Sequence, residues 1–189
     1  MKRNKFIATL LSLTAAPSVL FSRNKFLLNS AAKGFKVDAG KDRFDKPISL
    51  FEGDTFFTKV STTDTDGALY MFESTREKKG GPPLHYHYTQ DEWWYILEGE
   101  FLFKVGDETF TAKKGDSVFG PRMVPHAFAK TNDGPARLMM AFQTAGKMEA
   151  HFKNRSEGLY DKLSKEEEQK IRQQHGFEVV GPALNYEKR

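Results

Sequence analysis

Between about Lys36 and Thr144 the chain never sustains a 3.6-residue apolar period. It runs instead in short apolar or β-branched stretches, each closed by turn-forming residues. The candidate strands are Ile48 to Phe51, Phe56 to Ser61, Ala68 to Glu73, Leu84 to Tyr88 and Trp93 to Leu97, then Phe101 to Val105, Thr109 to Ala112, Ser117 to Phe119, Ala127 to Lys130 and Arg137 to Gln143. Between them lie Gly80-Gly81-Pro82-Pro83, Gly99, Gly106-Asp107, Gly115-Asp116, Gly120-Pro121 and Asn132-Asp133-Gly134-Pro135. Strands this short and numerous bury their apolar faces only as a sandwich or closed barrel, so residues 36–144 are expected to be an all-β domain. In WWYIL, Trp93 to Leu97, both strand faces are apolar. One face enters the core, and the other needs a cover: a second copy in a homodimer, the N-terminal segment, or the C-terminal tail.

The tail, residues 145–189, changes period. Lys147 to Glu157 sets Met148, His151 and Phe152 on one helical face. Ser164 to Gln174 opens with a capping pair, Ser164 and Glu167, and is stopped by Gly176. This second helix is charged nearly all round, with Ile171 as its main apolar contact, and is expected at the surface.

Residues 1–32 resemble an export leader. Met1 to Lys5 carries three positive side chains, and FIATLLSLTAAPSVLF, Phe6 to Phe21, is apolar or small, too interrupted for a stable membrane span. RNKF occurs twice, at Arg3 to Phe6 and Arg23 to Phe26, and Ser30-Ala31-Ala32 is the best cleavage site. Export to the periplasm or beyond is expected; a cytoplasmic protein with an N-terminal arm is the alternative. Ten of the 29 Lys/Arg and three of the 25 Asp/Glu lie in residues 1–46, which leaves 19 basic against 22 acidic residues in the body. A slightly acidic body with no basic stripe argues against a nucleic-acid partner. With no cysteine, thiolate metal sites, disulfides and cysteine nucleophiles are excluded, and any metal must sit on nitrogen and oxygen.

Three of the five histidines fall between positions 85 and 126. His85 and His87, two residues apart in a β-type run, leave the same face of one strand. Glu92 follows after four residues, with Asp91 as the competing carboxylate, and His126 arrives from a distant strand after Gly120-Pro121 and Pro125. Three imidazoles and a carboxylate suit one divalent transition metal: Fe, Mn, Ni, Cu or Zn. Six-coordination would leave two positions for a small-molecule substrate or dioxygen. Trp94 and Ile96 share strand parity with Glu92, and Phe128 with His126, so all three are candidate cavity-lining residues. Arg122 is a candidate contact for an anionic substrate. His151 is expected to pack on its helix and His175 to serve the helix C-terminus.

GPPLHYHYTQDEWWYILEG, Gly81 to Gly99, resembles the first motif of the cupin superfamily, with HxH, a glutamate and, after a gap of six residues, a glycine. GDSVFGPRMVPHAFAKTN, Gly115 to Asn132, resembles the second, with Gly115, Pro121 and His126 in place, Met123 where a glycine is usual, and Asn132 displaced. The resemblance covers about Lys36 to Thr144. It implies a jelly-roll β-barrel of six to eight strands, often dimeric, with His85, His87, Glu92 and His126 as metal ligands. GPPLHYHYTQDEWWYILEGEF and the closing HGFEVVGPAL look most like single-domain bacterial proteins of the quercetin 2,3-dioxygenase-like type. In such enzymes the glutamate also takes the substrate's hydroxyl proton, which makes Glu92 the implied catalytic base. Three functions fit the resemblance: a dioxygenase-type oxidoreductase acting on a small aromatic or enolic substrate, a metal-dependent isomerase or lyase, and a non-catalytic module that binds a small ligand.

Overall fold

In a computed structural model, which describes residues 33–50 and 53–186, all ten expected runs form strands. They are β1 (Ile48–Leu50), β2 (Asp54–Val60), β3 (Tyr70–Arg76), β4 (Pro83–His87), β5 (Asp91–Glu98), β6 (Glu100–Val105), β7 (Glu108–Lys113), β8 (Ser117–Gly120), β9 (His126–Lys130) and β10 (Ala136–Gln143). Helices α1 (Met148–Ser156) and α2 (Lys165–Gln174) follow, and then a strand that the sequence did not announce, β11 (Phe177–Ala183). The leader-like segment, with its RNKF pair and cleavage site, and Phe51 at the end of the first expected strand lie outside the described residues.

The strands make two antiparallel sheets, in the order β1-β2-β3-β10-β5-β8 and β11-β4-β9-β6-β7, which face each other as a jelly roll. Alternation decides which side chains enter. In β5, Glu92, Trp94 and Ile96 point inward and are buried, while Tyr95 stays exposed. From the facing sheet, Phe101 and Phe103 of β6 and Phe128 of β9 meet them, and Phe72 and Phe142 extend the same core. Phe103, Phe128 and His126 all lie within 6.1 Å of the Trp94 ring, centroid to centroid.

The tail does more than continue as helix. Serine 164 caps α2 as expected: Ser164 Oγ accepts from Glu167 N–H at 3.2 Å and Glu167 Oε2 accepts from Ser164 N–H at 2.8 Å. No α2 residue is buried. The chain then turns at Gly176 and adds β11 to the outer edge of β4, pairing Phe177 with His87 and Val179 with His85. Pro182 is tolerated in β11 because an edge strand has one side free of the ladder.

Helix α1 is anchored by a buried carboxylate. Glu149 accepts from Thr62 N–H at 2.8 Å, Thr62 Oγ1 at 2.6 Å and Ser61 Oγ at 2.8 Å, all at the 3₁₀ turn after β2, and pairs with Lys153 at 2.6 Å. This clamp sets the α1 face carrying Met148, His151 and Phe152 against the end of the barrel.

The tail leaves the outward face of β5 uncovered. Trp93 stacks on Tyr95, pairs across the strands with Phe119, and donates its indole N–H to Ser117 Oγ at 2.6 Å; Tyr95 and Phe119 are 37% and 56% exposed. Of the three covers considered for WWYIL, the C-terminal tail is thus excluded, since it joins the opposite sheet. No helix among the described residues is long and apolar enough to cross a membrane.

Candidate metal centre

The two imidazoles of β4, Glu92 of β5 and His126 of β9 meet inside the barrel: one ligand atom from each of His85, His87, Glu92 and His126 lies within 4.8 Å of all the others. Among the described residues no other group of His, Asp or Glu converges this way. Strand register explains the convergence. His85 pairs directly with His126 across β4 and β9, and Glu92 lies opposite Gly120 across β5 and β8. Two glycines permit the close approach. A Cβ on Gly81 would stand 1.8 Å from the Phe128 carbonyl oxygen, and one on Gly120 would be 2.8 Å from the Trp94 ring and 3.2 Å from His126 Nδ1.

Each imidazole is oriented by its far nitrogen. Nδ1 of His85 lies 2.8 Å from the Pro83 carbonyl oxygen, Nδ1 of His126 lies 2.9 Å from that of Val124, and Nδ1 of His87 lies 3.2 Å from Gln90 Oε1. Carbonyl oxygens only accept, so Nδ1 carries the proton in all three rings, and each Nε2 of a neutral ring presents a lone pair. Those lone pairs face a carboxylate: Glu92 Oε2 is 3.2 Å from Nε2 of His87, 3.2 Å from that of His126 and 3.9 Å from that of His85. His87 Nε2 is buried without a hydrogen-bond partner. Such an array of donors is mutually repulsive unless a cation sits among them, and it fits a divalent transition metal on nitrogen and oxygen ligands.

Electrostatics agree with the geometry. Burial lowers the pKa of His85 to about 3, helped by the neighbouring His126, so its ring is neutral at physiological pH. Burial pushes Glu92 up, but the imidazoles of His126 and His87, each with Nε2 3.2 Å from Glu92 Oε2, outweigh it and bring the carboxyl to about 2. The donor set at neutral pH therefore includes a neutral His85 and an ionised Glu92.

The competing carboxylate is settled by the same strand parity. Asp91 points out of the barrel, where its Oδ1 accepts from Arg122 N–H at 2.9 Å and from Arg122 Nε at 3.0 Å, and its Oδ2 from Nη2 at 2.6 Å. Those bonds hold its pKa below the usual carboxylate range. Arg122 is consequently committed to Asp91 and does not line the cavity described next.

That cavity, of about 600 Å³, opens onto the donors from one side. His85 and Glu92 reach its surface, whereas His87 and His126 stand behind them. Phe128 lines it, as expected from its parity. Trp94 and Ile96 do not, and serve the core. The tail supplies a further part of the wall: Met148, His151, Phe152, Phe177 and Val179. His151 was expected to pack on its own helix; it is instead 6% exposed in the cavity wall, with its ring 4.9 Å from that of Phe177. His175 is as expected, its Nδ1 2.8 Å from the Ile171 carbonyl oxygen.

Sequence reasoning missed Gln90. Its side chain is buried and its amide is fixed at both ends, Oε1 on His87 and Nε2 donating to the carbonyls of Ala145 (3.3 Å) and His175 (3.4 Å). It thereby selects the His87 tautomer. No signal in a single sequence marks it, because its partners lie 55 and 85 residues away.

Fold and site together define a jelly-roll protein with a three-histidine, one-glutamate pocket. Residues 72–142 match the family model described as "Cupin domain", and the two sheets are a cupin jelly roll. Over 56 residues the chain is 39% identical to an uncharacterised protein of Methanocaldococcus jannaschii; the match covers 30% of this chain and 45% of that relative, less than half its length. Similar solved structures include the polyketide cyclase RemF of Streptomyces resistomycificus, at 23% identity over 59% of this chain and 80% of that one, with a TM-score of 0.48. An RmlC-like cupin from Shewanella frigidimarina shares 19% identity over 60% of this chain and 92% of its own, with a TM-score of 0.47.

Proposed function

We propose that the protein is a metal-dependent oxidoreductase of the dioxygenase type, with His85, His87, Glu92 and His126 holding one Fe, Mn, Ni, Cu or Zn ion and a small aromatic or enolic substrate entering the cavity. The observation that carries this reading is that three Nε2 lone pairs of fixed tautomer and one carboxylate converge at the end of an aromatic-walled cavity, with one side open to a substrate. A bound metal would supply Lewis acidity and, if redox-active, an electron path to dioxygen. The chain's own residues do the rest. Glu92, ionised and at the cavity surface, accepts the hydroxyl proton of the substrate. The rings of Phe128, Phe142 and Phe177 hold a flat substrate and exclude water.

Elemental analysis of purified protein, followed by oxygen uptake on a flavonol and catechol panel after iron, nickel or manganese loading, tests the reading. Zinc as the sole metal with no oxygen uptake would sink it and favour a Lewis-acid isomerase or lyase. Glu92→Gln should abolish turnover while retaining most of the metal; unchanged turnover would remove Glu92 as the base. We also propose that a homodimer covers the Trp93, Tyr95 and Phe119 face, and that residues 1–32 direct export. N-terminal sequencing of native protein checks the latter, and an intact Met1 on cytoplasmic protein would contradict it.

A further inference from the structure

The walls of the cavity are not uniformly apolar. Its lining includes five lysine and arginine side chains, Arg76, Lys78, Lys79, Arg155 and Arg172, against two acidic ones, Asp54 and Glu92. Glu92 belongs to the imidazole cluster, and Asp54 pairs with the buried Arg76 at 2.8 Å, which holds its guanidinium over the Phe128 ring. Lys79 reaches out of the lining to Asp133 at 2.8 Å. Two of these cations form a pair built by the tail. Arg155 of α1 and Arg172 of α2 both reach the same carboxylate, Glu168, Arg155 at 3.6 Å. One turn before Arg155, on the same face of α1, His151 Nδ1 is buried in the cavity wall without a hydrogen-bond partner. Between this polar group and the metal donors the surface is aromatic: Phe56, Phe142, Phe152 and Phe177.

We propose that the cavity selects an organic anion with a flat apolar body, whose acidic group is held by Arg155 and Arg172, so that the tail rather than the barrel sets the substrate class. The apolar body fills the aromatic section beside His85 and Glu92. A carboxylate or sulfonate at the other end exchanges with Glu168 for the two guanidiniums, whose planar forks suit a planar acid. Arg76 and Asp54 close the far wall as a satisfied pair and do not take part. The proposal rests on the cavity being the substrate site of the preceding section, but not on what chemistry follows there.

Isothermal titration calorimetry of the full chain with 2-naphthoate and 2-naphthamide, near-isosteres that differ by one negative charge, tests it, on metal-loaded protein and on protein stripped with chelator. The expected result is naphthoate binding tighter by about tenfold or more in both forms, the scale of one charge-assisted contact. The double variant R155Q/R172Q should bring the two ligands within about twofold of each other. Glu168→Gln, which removes the carboxylate competing for both arginines, should widen the gap by roughly threefold. Misfolding weakens both ligands together, so the opposite signs of these variants separate recognition from damage. Equal binding of the two ligands to the wild type overturns the proposal. So does a preference that survives R155Q/R172Q, including one seen only with metal, which would place the carboxylate on the metal instead. Protein that takes up no metal on loading yet shows the arginine-dependent gap would overturn the oxidoreductase reading and leave this one standing.

Discussion

Replacing Glu149 by alanine should destabilise the protein by about 3 kcal/mol while leaving the candidate metal donors in place. In the folded chain this carboxylate accepts from one backbone N–H and two hydroxyls and pairs with Lys153. Hydrogen bonds to a charged acceptor are each worth about 1.5–3 kcal/mol, but three on one group are not additive, and water will reach the turn once the side chain is gone. The half-exposed Lys153 pair adds little. For a domain of this size about 3 kcal/mol corresponds to roughly 6–12 °C in Tm. The pH dependence follows from the same contacts. Burial pushes the Glu149 carboxyl up, yet the bonds from Lys153, Thr62 and Ser61 outweigh it and leave the pKa below its ordinary value. A depressed carboxylate stabilises the fold above its unfolded pKa, about 4.3, and that stability is lost as pH falls through the lower folded value. Urea denaturation of wild type and Glu149→Ala, followed by tryptophan fluorescence at pH 7 and at steps down to pH 3, should show the gap shrink below about pH 4. A difference under about 1 kcal/mol at pH 7, or one constant down to pH 3, would refute the clamp.

Gln90→Leu should raise the metal dissociation constant by about 10–100-fold in a chelator competition, because His87 loses the acceptor that fixes its tautomer; an unchanged constant would show that Gln90 only fills space. Met123 stands at φ +63°, a region that favours glycine, in the position where the second cupin motif usually has one. Met123→Gly should therefore stabilise by about 0.5–1 kcal/mol in thermal unfolding, and a loss of stability would mean the methionine side chain supplies contacts worth more than the backbone strain. Light scattering should find wild type dimeric and Tyr95→Glu/Phe119→Glu monomeric with its metal retained, whereas a monomeric wild type would contradict the proposed cover of the exposed aromatic face.

How far the chain could be read depended on how local each cause was. All ten barrel strands were legible because each apolar run is fenced by its own Gly, Pro, Asn or Asp. The choice of Glu92 over Asp91 was legible too. Its distance to Gly99 pointed the right way, and strand alternation then sends one carboxylate in and the other out to Arg122. On α1 the face of Met148, His151 and Phe152 was visible in the period, but not what it faces: a helical stripe says that something is buried, not that the something is a cavity. β11 escaped because FEVVGPA is short and contains Gly-Pro, which reads as a break. It is a strand only because β4 offers an edge some ninety residues earlier. Gln90 and Glu149 escaped for the same reason: their partners are brought by the fold.

These non-local pieces share one consequence, which is that the tail and the candidate metal donors form one structure. β4 is five residues long and meets β9 at the single pair His85 and His126. Its other edge is held by β11 through Phe177 with His87, Glu178 with Tyr86, and Val179 with His85. Phe177 also sets its ring 6.0 Å from His85 and 5.6 Å from His87. Gln90, which orients His87, is itself oriented by carbonyls at Ala145 and His175, either side of the two helices. All four donors lie within the 72–142 stretch that matches the cupin domain, but two of them are positioned by residues beyond it. A ligand seated between α1 and the donors would therefore touch both the helices of the tail and the HxH strand that β11 holds in place.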